Sequence, residues 1–192
     1  FPAPVYQDGV FRLVSCAAVI ERKQIPVLID ALALWTEGRV RWTHIGGGPD
    51  EPAVRAYAAQ RLGDKHHIEF EITGHVAPEQ VQKYYQAQPF DVFVNTSRSE
   101  GVPVSIMEAM RAGVLTVAPR INGIPELVDQ KVWLLPGGSL HRRNHSAQPE
   151  GRRAEAIPAI RAFRLFLHSR VLWLRPSQSS LRPLEERDYL GR

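Results

Sequence analysis

Cysteine is nearly absent from this chain: Cys16 is the only one in 192 residues. A single thiol cannot build an internal disulfide framework, so the fold must rest on its core, and a reducing cytosol is the expected compartment. With no His or Asp beside it in sequence, Cys16 reads as a small core residue rather than a nucleophile. No grouping of His, Cys and carboxylates has metal-ligand spacing, and neither a metal nor another cofactor is expected. No apolar run approaches the roughly 20 residues that span a bilayer, and no secretory leader is recognisable. The first residue is Phe1 rather than Met, which fits a piece of a longer protein. There is no internal repeat, and no low-complexity linker before Gly137.

Positive charge is also scarce where the chain reads as folded. Residues 1–138 carry thirteen Lys and Arg against fifteen Asp and Glu; residues 139–192 carry eleven Arg, no Lys and five acidic residues. The positive excess behind the formal net charge of +4 therefore sits in the tail. The first part has no electrostatic case for binding nucleic acid.

What the chain does have is alternation. Short runs rich in Val, Ile and Phe at 11–17, 40–45, 68–72, 91–95, 115–118 and 132–135 read as strands. Amphipathic stretches at 26–35, 51–62, 78–86, 103–112 and 124–129 read as helices between them. Such βα units predict a Rossmann-like α/β domain over residues 1–138, a parallel sheet covered by helices on both faces. Trp35, Trp42, Tyr84 and Tyr85 fall at core-like positions and read as packing.

Residues 99–113, SEGVPVSIMEAMRAG, carry the chemistry. Glu100 and Glu108 stand eight positions apart around a Gly-Val-Pro step, directly after the strand candidate DVFVNTS. Pro103 suits the first helical position, which puts Glu100 just outside the helix and Glu108 inside it. A strand, a loop with a carboxylate and a helix start form a pocket at the carboxyl end of a parallel sheet, where ligands of such folds bind. Backbone N–H groups at Gly101 and Val102 favour an anion there, and the two carboxylates accept hydrogen bonds from sugar hydroxyls. A nucleotide sugar carries both kinds of group. Either glutamate alone has an ordinary reading, as a helix-start carboxylate or a solvated helix residue.

The run resembles the E-x7-E motif of family 4 glycosyltransferases, retaining enzymes of the GT-B fold. The likeness continues through LVSCAAVIERKQIPVLIDAL, VRWTHIGGGPD, IEFEITGHV and VAPRINGIPELV, covering about residues 11–136, and it is to the C-terminal, donor-binding half alone. The resemblance implies a nucleoside diphosphate sugar as donor and transfer, with retention, to a sugar or lipid-linked acceptor held by an N-terminal domain outside these residues. It implies polysaccharide synthesis in the cytoplasm, at the inner face of the membrane. By the same resemblance Glu108 holds the ribose, Glu100 the donor sugar, and Lys23 with its neighbour Arg22 the diphosphate. Gly46, Gly47 and Gly48 line the nucleotide side of the cleft. The leaving phosphate itself is thought to assist, so no protein nucleophile is named, and the family needs no bound metal.

Each of these residues also has a plainer reading. Arg22 and Lys23 form a basic turn, and the three glycines form a tight strand-to-helix turn. Where many family members have a Gly-Arg pair, this chain has Ala17-Ala18. That departure leaves a catalytically incomplete nucleotide-sugar-binding module as the alternative. Glu126, in a stretch like the family's Gly-Gly-x-x-Glu block, reads equally as a helix-start carboxylate. His66 and His67 are expected in solvent, His44 as a satisfied core residue, and His75 near the cleft.

After LLPGG the resemblance stops. In residues 139–192, Ile160, Phe163, Leu167, Val171 and Leu174 repeat at helical spacing, with Arg161, Arg164 and Arg170 beside them. Three readings compete: a basic helix for a membrane surface or acidic partner, a divergent bracing helix, or a frameshifted translation. The frameshift is preferred, because it explains the sudden Arg, Ser, Pro and His bias.

Overall fold

The computed structural model describes residues 8–36, 38–119, 121–127 and 132–135. The strands are β1 (Val10–Cys16), β2 (Arg39–Ile45), β3 (Ile68–Ile72), β4 (Val92–Val94), β5 (Leu115–Pro119) and β6 (Val132–Leu135). Between them run α1 (Ile25–Ala33), α2 (Glu51–Leu62), α3 (Pro78–Ala87), α4 (Val104–Arg111) and α5 (Ile124–Leu127), with a 3-10 turn at Glu21–Lys23 before α1. Every expected strand and helix is present, with ends displaced by a residue or two. The expected end of the last helix, at 128–129, and the whole tail from 139 lie outside the described residues.

All neighbouring strands pair in parallel, in the order β3-β2-β1-β4-β5-β6. Successive strand residues point to opposite faces, and the burial follows that rule. Leu13, Val92, Val94 and Val117 join the cluster that α1 and α2 cover with Leu28, Ile29, Leu32, Val54 and Ala58. Their neighbours Val14, Phe93 and Ala118 join a second cluster, covered by α3 and α4 through Val81, Tyr85, Ile106 and Ala109. A sheet buried on both faces needs apolar residues at consecutive positions, which is why β4 reads simply as Val-Phe-Val.

The aromatic residues pack as expected. Phe11 and Trp35 stack with centroids 5.1 Å apart. Trp42 is fully buried and Tyr85 nearly so, while Tyr84 is half-buried against the second cluster.

Chain order matters most at one place. The order runs outward from β1 through β2 to β3 on one side and from β4 to β6 on the other, so the direction of winding reverses between β1 and β4. Loops leaving the carboxyl ends of those two strands diverge and leave a crevice.

Candidate functional site

Two loops line that crevice. One follows β1 and contains Arg22 and Lys23; the other follows β4 and contains residues 95–103. They are tied to each other by hydrogen bonds to two backbone carbonyls of the first loop. Thr96 Oγ1 donates to the Lys23 carbonyl at 2.8 Å, and the Arg98 N–H donates to the Arg22 carbonyl at 2.9 Å. Gln24, at φ 50, turns the chain from the 3-10 turn into α1.

Within this frame Lys23 Nζ lies 2.6 Å from Glu100 Oε1. The same oxygen accepts from Ser97 Oγ at 2.5 Å and from Asn95 Nδ2 at 3.2 Å. Asn95 Oδ1 in turn accepts the Ser97 N–H at 2.9 Å, which fixes the loop that carries Ser97. Glu100 is 8 % exposed, far more buried than a helix-start carboxylate facing solvent. Burial pushes its carboxyl up. The hydrogen bonds from Lys23, Ser97 and Asn95, with the Lys23 charge, outweigh that cost and leave it below the usual range.

Glu108 lies on α4, one turn and more into the helix, and is half-exposed. Burial raises its pKa. Its charge reaches Cys16 and Tyr85, two groups on separate elements. Cys16 packs against the second core cluster, and its thiol is pushed up to about 12 by burial first and by Glu108, against the opposing pull of Lys23. A thiol held so far from ionisation is no nucleophile.

Gly101 and Val102 are exposed, and a Cβ on Gly101 would meet nothing within 4 Å. The structure corrects the expectation for Pro103. It caps α4 from outside, in extended conformation at φ −75 and ψ 113, and the helix begins at Val104. Its carbonyl accepts the Ile106 N–H at 3.1 Å. The ring's fixed φ suits both positions, so sequence alone does not separate them.

The triple glycine follows β2, and its bareness serves the approach of neighbouring loops. A Cβ on Gly46, at φ +136, would stand 2.1 Å from the Ala17 carbonyl oxygen, and one on Gly48 would stand 2.4 Å from that of Val19. These contacts press the loop after β2 onto the loop that leads to Lys23. Arg22 is exposed at the crevice mouth. Glu126, in the first turn of α5, and His75 are also exposed. His66 and His67 are exposed as expected, although His67 Nε2 lies 3.0 Å from the Trp35 carbonyl.

His44 departs from its expectation. Its Nδ1 is 2.8 Å from Ser15 Oγ, which also accepts from Trp42 Nε1 at 2.9 Å, but its buried Nε2 has no hydrogen-bond partner among the described residues. It is therefore half-satisfied. His44 lines a small cavity at the crevice floor together with Cys16, Lys23, Asn95, Thr96 and Ser97. Sequence reading passed over Asn95 and Ser97 as the end of a strand. The available signal was their polarity at the carboxyl end of an otherwise apolar run, one to three residues before the turn that delivers Glu100. Among the described residues no three His, Cys, Asp or Glu gather as metal ligands, and no helix is long and apolar enough to cross a membrane.

The sheet is Rossmann-like, with a cation and a carboxylate joined at its switch point, and its structural neighbours are glycosyltransferases of the GT-B fold. The chain belongs to the family of glycosyl transferases group 1, whose pattern it matches over residues 11–143. It is 31 % identical over 137 residues to the amylovoran biosynthesis glycosyltransferase AmsK of Erwinia amylovora, across 66 % of this chain and 32 % of that protein. It is 33 % identical over 147 residues to a protein of Escherichia coli K12 named as the colanic acid biosynthesis glycosyltransferase WcaL, across 70 % of this chain and 35 % of the other. The chain thus spans about a third of the length of these relatives. In structure it resembles HepE of Anabaena, crystallised with UDP and glucose, at a TM-score of 0.56 and 23 % identity, over 83 % of this chain and 42 % of that one.

Proposed function

We propose that these residues form the donor-binding half of a retaining glycosyltransferase of family 4. The enzyme moves a hexosyl group from a nucleoside diphosphate sugar to a hydroxyl of a sugar or lipid-linked acceptor during cell-surface polysaccharide assembly. The observation that carries this reading is the convergence of Lys23, Asn95, Ser97 and Glu100 at the reversal of strand order. The names of the two relatives, of amylovoran and colanic acid biosynthesis, and the UDP and glucose bound to HepE support it.

In this reading Lys23 and exposed Arg22 neutralise the diphosphate and stabilise the negative charge that grows on it as the glycosidic bond breaks. The backbone N–H groups of Gly101 and Val102 take a phosphate oxygen, Glu100 takes the sugar hydroxyls and Glu108 the ribose. Gly46, Gly47 and Gly48 flank the nucleotide. The departing phosphate assists attack from the same face, so the protein supplies no nucleophile. Residues 1–138 make up this unit, acting in the cytoplasm at the inner face of the membrane. For the Arg-rich residues 139–192 we favour a frameshifted translation over a basic or bracing helix, a reading that fails if neither other frame of the coding DNA restores family-like sequence after Gly138. Alone, the 192 residues bind donor better than they transfer sugar, because the acceptor is held elsewhere.

One observation favours a second reading, a binding module without transfer: Ala17-Ala18 offers no cation beside the diphosphate. The deciding experiment is thermal unfolding of the full chain with UDP, GDP, ADP and their sugar conjugates. Stabilisation by one nucleotide series, lost in Glu108→Ala, supports the donor site. A folded chain that none of them stabilises sinks it. Donor hydrolysis or transfer by the chain excludes the module reading.

A further inference from the structure

Among the described residues, two that are not glycine have a left-handed backbone: Gln24 at φ 50 and Asn122 at φ 43. Gln24 turns the chain after Lys23 into α1. Asn122 turns the loop after β5, and Gly123 follows it. A Cβ on Gly123 would stand 2.6 Å from the carbonyl oxygen of Gly101 and 3.2 Å from Cγ2 of Val102. The loop after β5 therefore backs directly onto the loop after β4. Asn122 Nδ2 also donates to Ser99 Oγ at 3.2 Å, so the two contacts flank Glu100, one on each side. On its other side Gly101 is open, with nothing within 4 Å of an added Cβ. We propose that Asn122 and Gly123 are positioning residues, which fix the Val102 N–H in the orientation that takes a donor phosphate.

The inference rests on the donor-site reading above and adds to it a third loop, which works without touching the ligand. A peptide is planar, so the Gly101 carbonyl and the Val102 N–H turn as one rigid unit. Whatever backs the oxygen fixes the direction of the N–H. The backing is itself anchored: Ile124 is fully buried in the second core cluster, Ile121 packs against that cluster, and the Ile124 N–H donates to the Ile121 carbonyl at 3.1 Å. Between these anchors the chain turns through the left-handed residue. Asn accepts that conformation more readily than most residues with a side chain. Such strain persists where surrounding packing holds it, and here the strained turn holds the peptide that carries the proposed phosphate contact. An N–H already in place takes an anion without the entropy loss of ordering a loop.

The test is an NMR titration of the isotope-labelled full chain with UDP, GDP and ADP, and with uridine, guanosine and adenosine. In the wild type the diphosphate that binds should move the Val102 amide proton downfield, and its nucleoside should not. Gly123→Ala should weaken that diphosphate about tenfold, leave the nucleoside within about twofold, and abolish the Val102 shift. Asn122→Gly keeps the left-handed turn at no steric cost and should hold diphosphate affinity within about twofold. Asn122→Ala strains the turn and should weaken the diphosphate about fivefold. This milder pair decides the matter if Gly123→Ala fails to fold. A Val102 amide that ignores a bound diphosphate overturns the proposal and leaves the donor site standing. Equal weakening of diphosphate and nucleoside does the same, as does a folded Gly123→Ala or Asn122→Ala that binds like the wild type. A folded wild type that binds none of the six compounds overturns the donor site and the positioning role with it.

Discussion

Ser15 Oγ on β1 stands 2.8 Å from His44 Nδ1 on β2, and the pair is sealed beneath Trp42, whose indole N–H donates to the same hydroxyl. Ser15 and His44 are also register partners in the parallel ladder. Burial lowers the imidazole pKa from 6.5 to about 4; the Ala17 carbonyl and Glu51 pull it up, and Arg55 pushes it down.

The unfolded chain therefore takes up a proton that the folded chain refuses. Stability from this site is fully present above pH 6.5 and is lost as pH falls from 6.5 towards 4. The loss is about 1.4 kcal/mol per pH unit, or about 3 kcal/mol in all. Urea unfolding at pH 7 and pH 4.5 measures it, and His44→Gln should flatten the difference. Equal pH dependence in both proteins would refute the assignment.

Removing the cation of the crevice pair should strand a buried carboxylate. Lys23→Met is expected to cost about 2–4 kcal/mol at pH 7. It should also raise the Glu100 pKa above the ordinary value, since burial then acts with less opposition. In the wild type the depressed Glu100 contributes stability above its unfolded pKa of 4.5 that is lost as pH falls through the folded value. Carbon-detected NMR titration of the Glu carboxyls reads the shift; an unmoved Glu100 resonance counts against the pair.

Nucleotide binding should appear as stability. A ligand at a hundredfold over its dissociation constant adds about 2.7 kcal/mol. Glu108→Ala is expected to remove that increment and to leave the ligand-free melting point nearly unchanged, because Glu108 is half-exposed on α4. A mutant that still gains the increment argues against Glu108 as the ribose ligand.

Two glycines of the crevice should differ sharply. Gly46→Ala forces a methyl group to 2.1 Å from the Ala17 carbonyl oxygen at positive φ, and should cost roughly 2 kcal/mol or more. Gly101→Ala meets nothing within 4 Å and should change stability by less than about 0.5 kcal/mol. Chemical denaturation of both variants compares them directly.

The phenol of Tyr85 is buried without a hydrogen-bond partner among the described residues, and burial raises its pKa. Tyr85→Phe should therefore be neutral or stabilising by up to about 1 kcal/mol, with the edge contact to Phe90 retained. Destabilisation of more than about 1 kcal/mol would mean the hydroxyl has a partner.

Much of this was legible in the sequence, for identifiable reasons. The Val-Phe-Val of β4 is apolar at every position because both faces of the strand are covered, and that signal needs no tertiary information. The loop position of Glu100 followed from the end of that strand and from Pro103. Whether Pro103 opened the helix or capped it did not follow, because its ring satisfies both. His44 was placed correctly in a strand, but that its Nε2 lacks a partner among the described residues depends on which atoms other elements bring near it. The glycines after β2 were equally consistent with a ligand or a loop, and only the position of the Ala17 and Val19 carbonyls showed what they accommodate.

Local sequence determined the elements, their order and the two-sided sheet, because hydrophobic period and turn residues act over a few positions at a time. It also determined which loops would carry Lys23 and Glu100. Tertiary structure alone decided that these two, 77 positions apart, share one oxygen with Ser97 and Asn95. That meeting depends on β1 and β4 lying side by side in the sheet. Strand order is set by how the whole set of helices covers both faces at once, which no short stretch of sequence encodes.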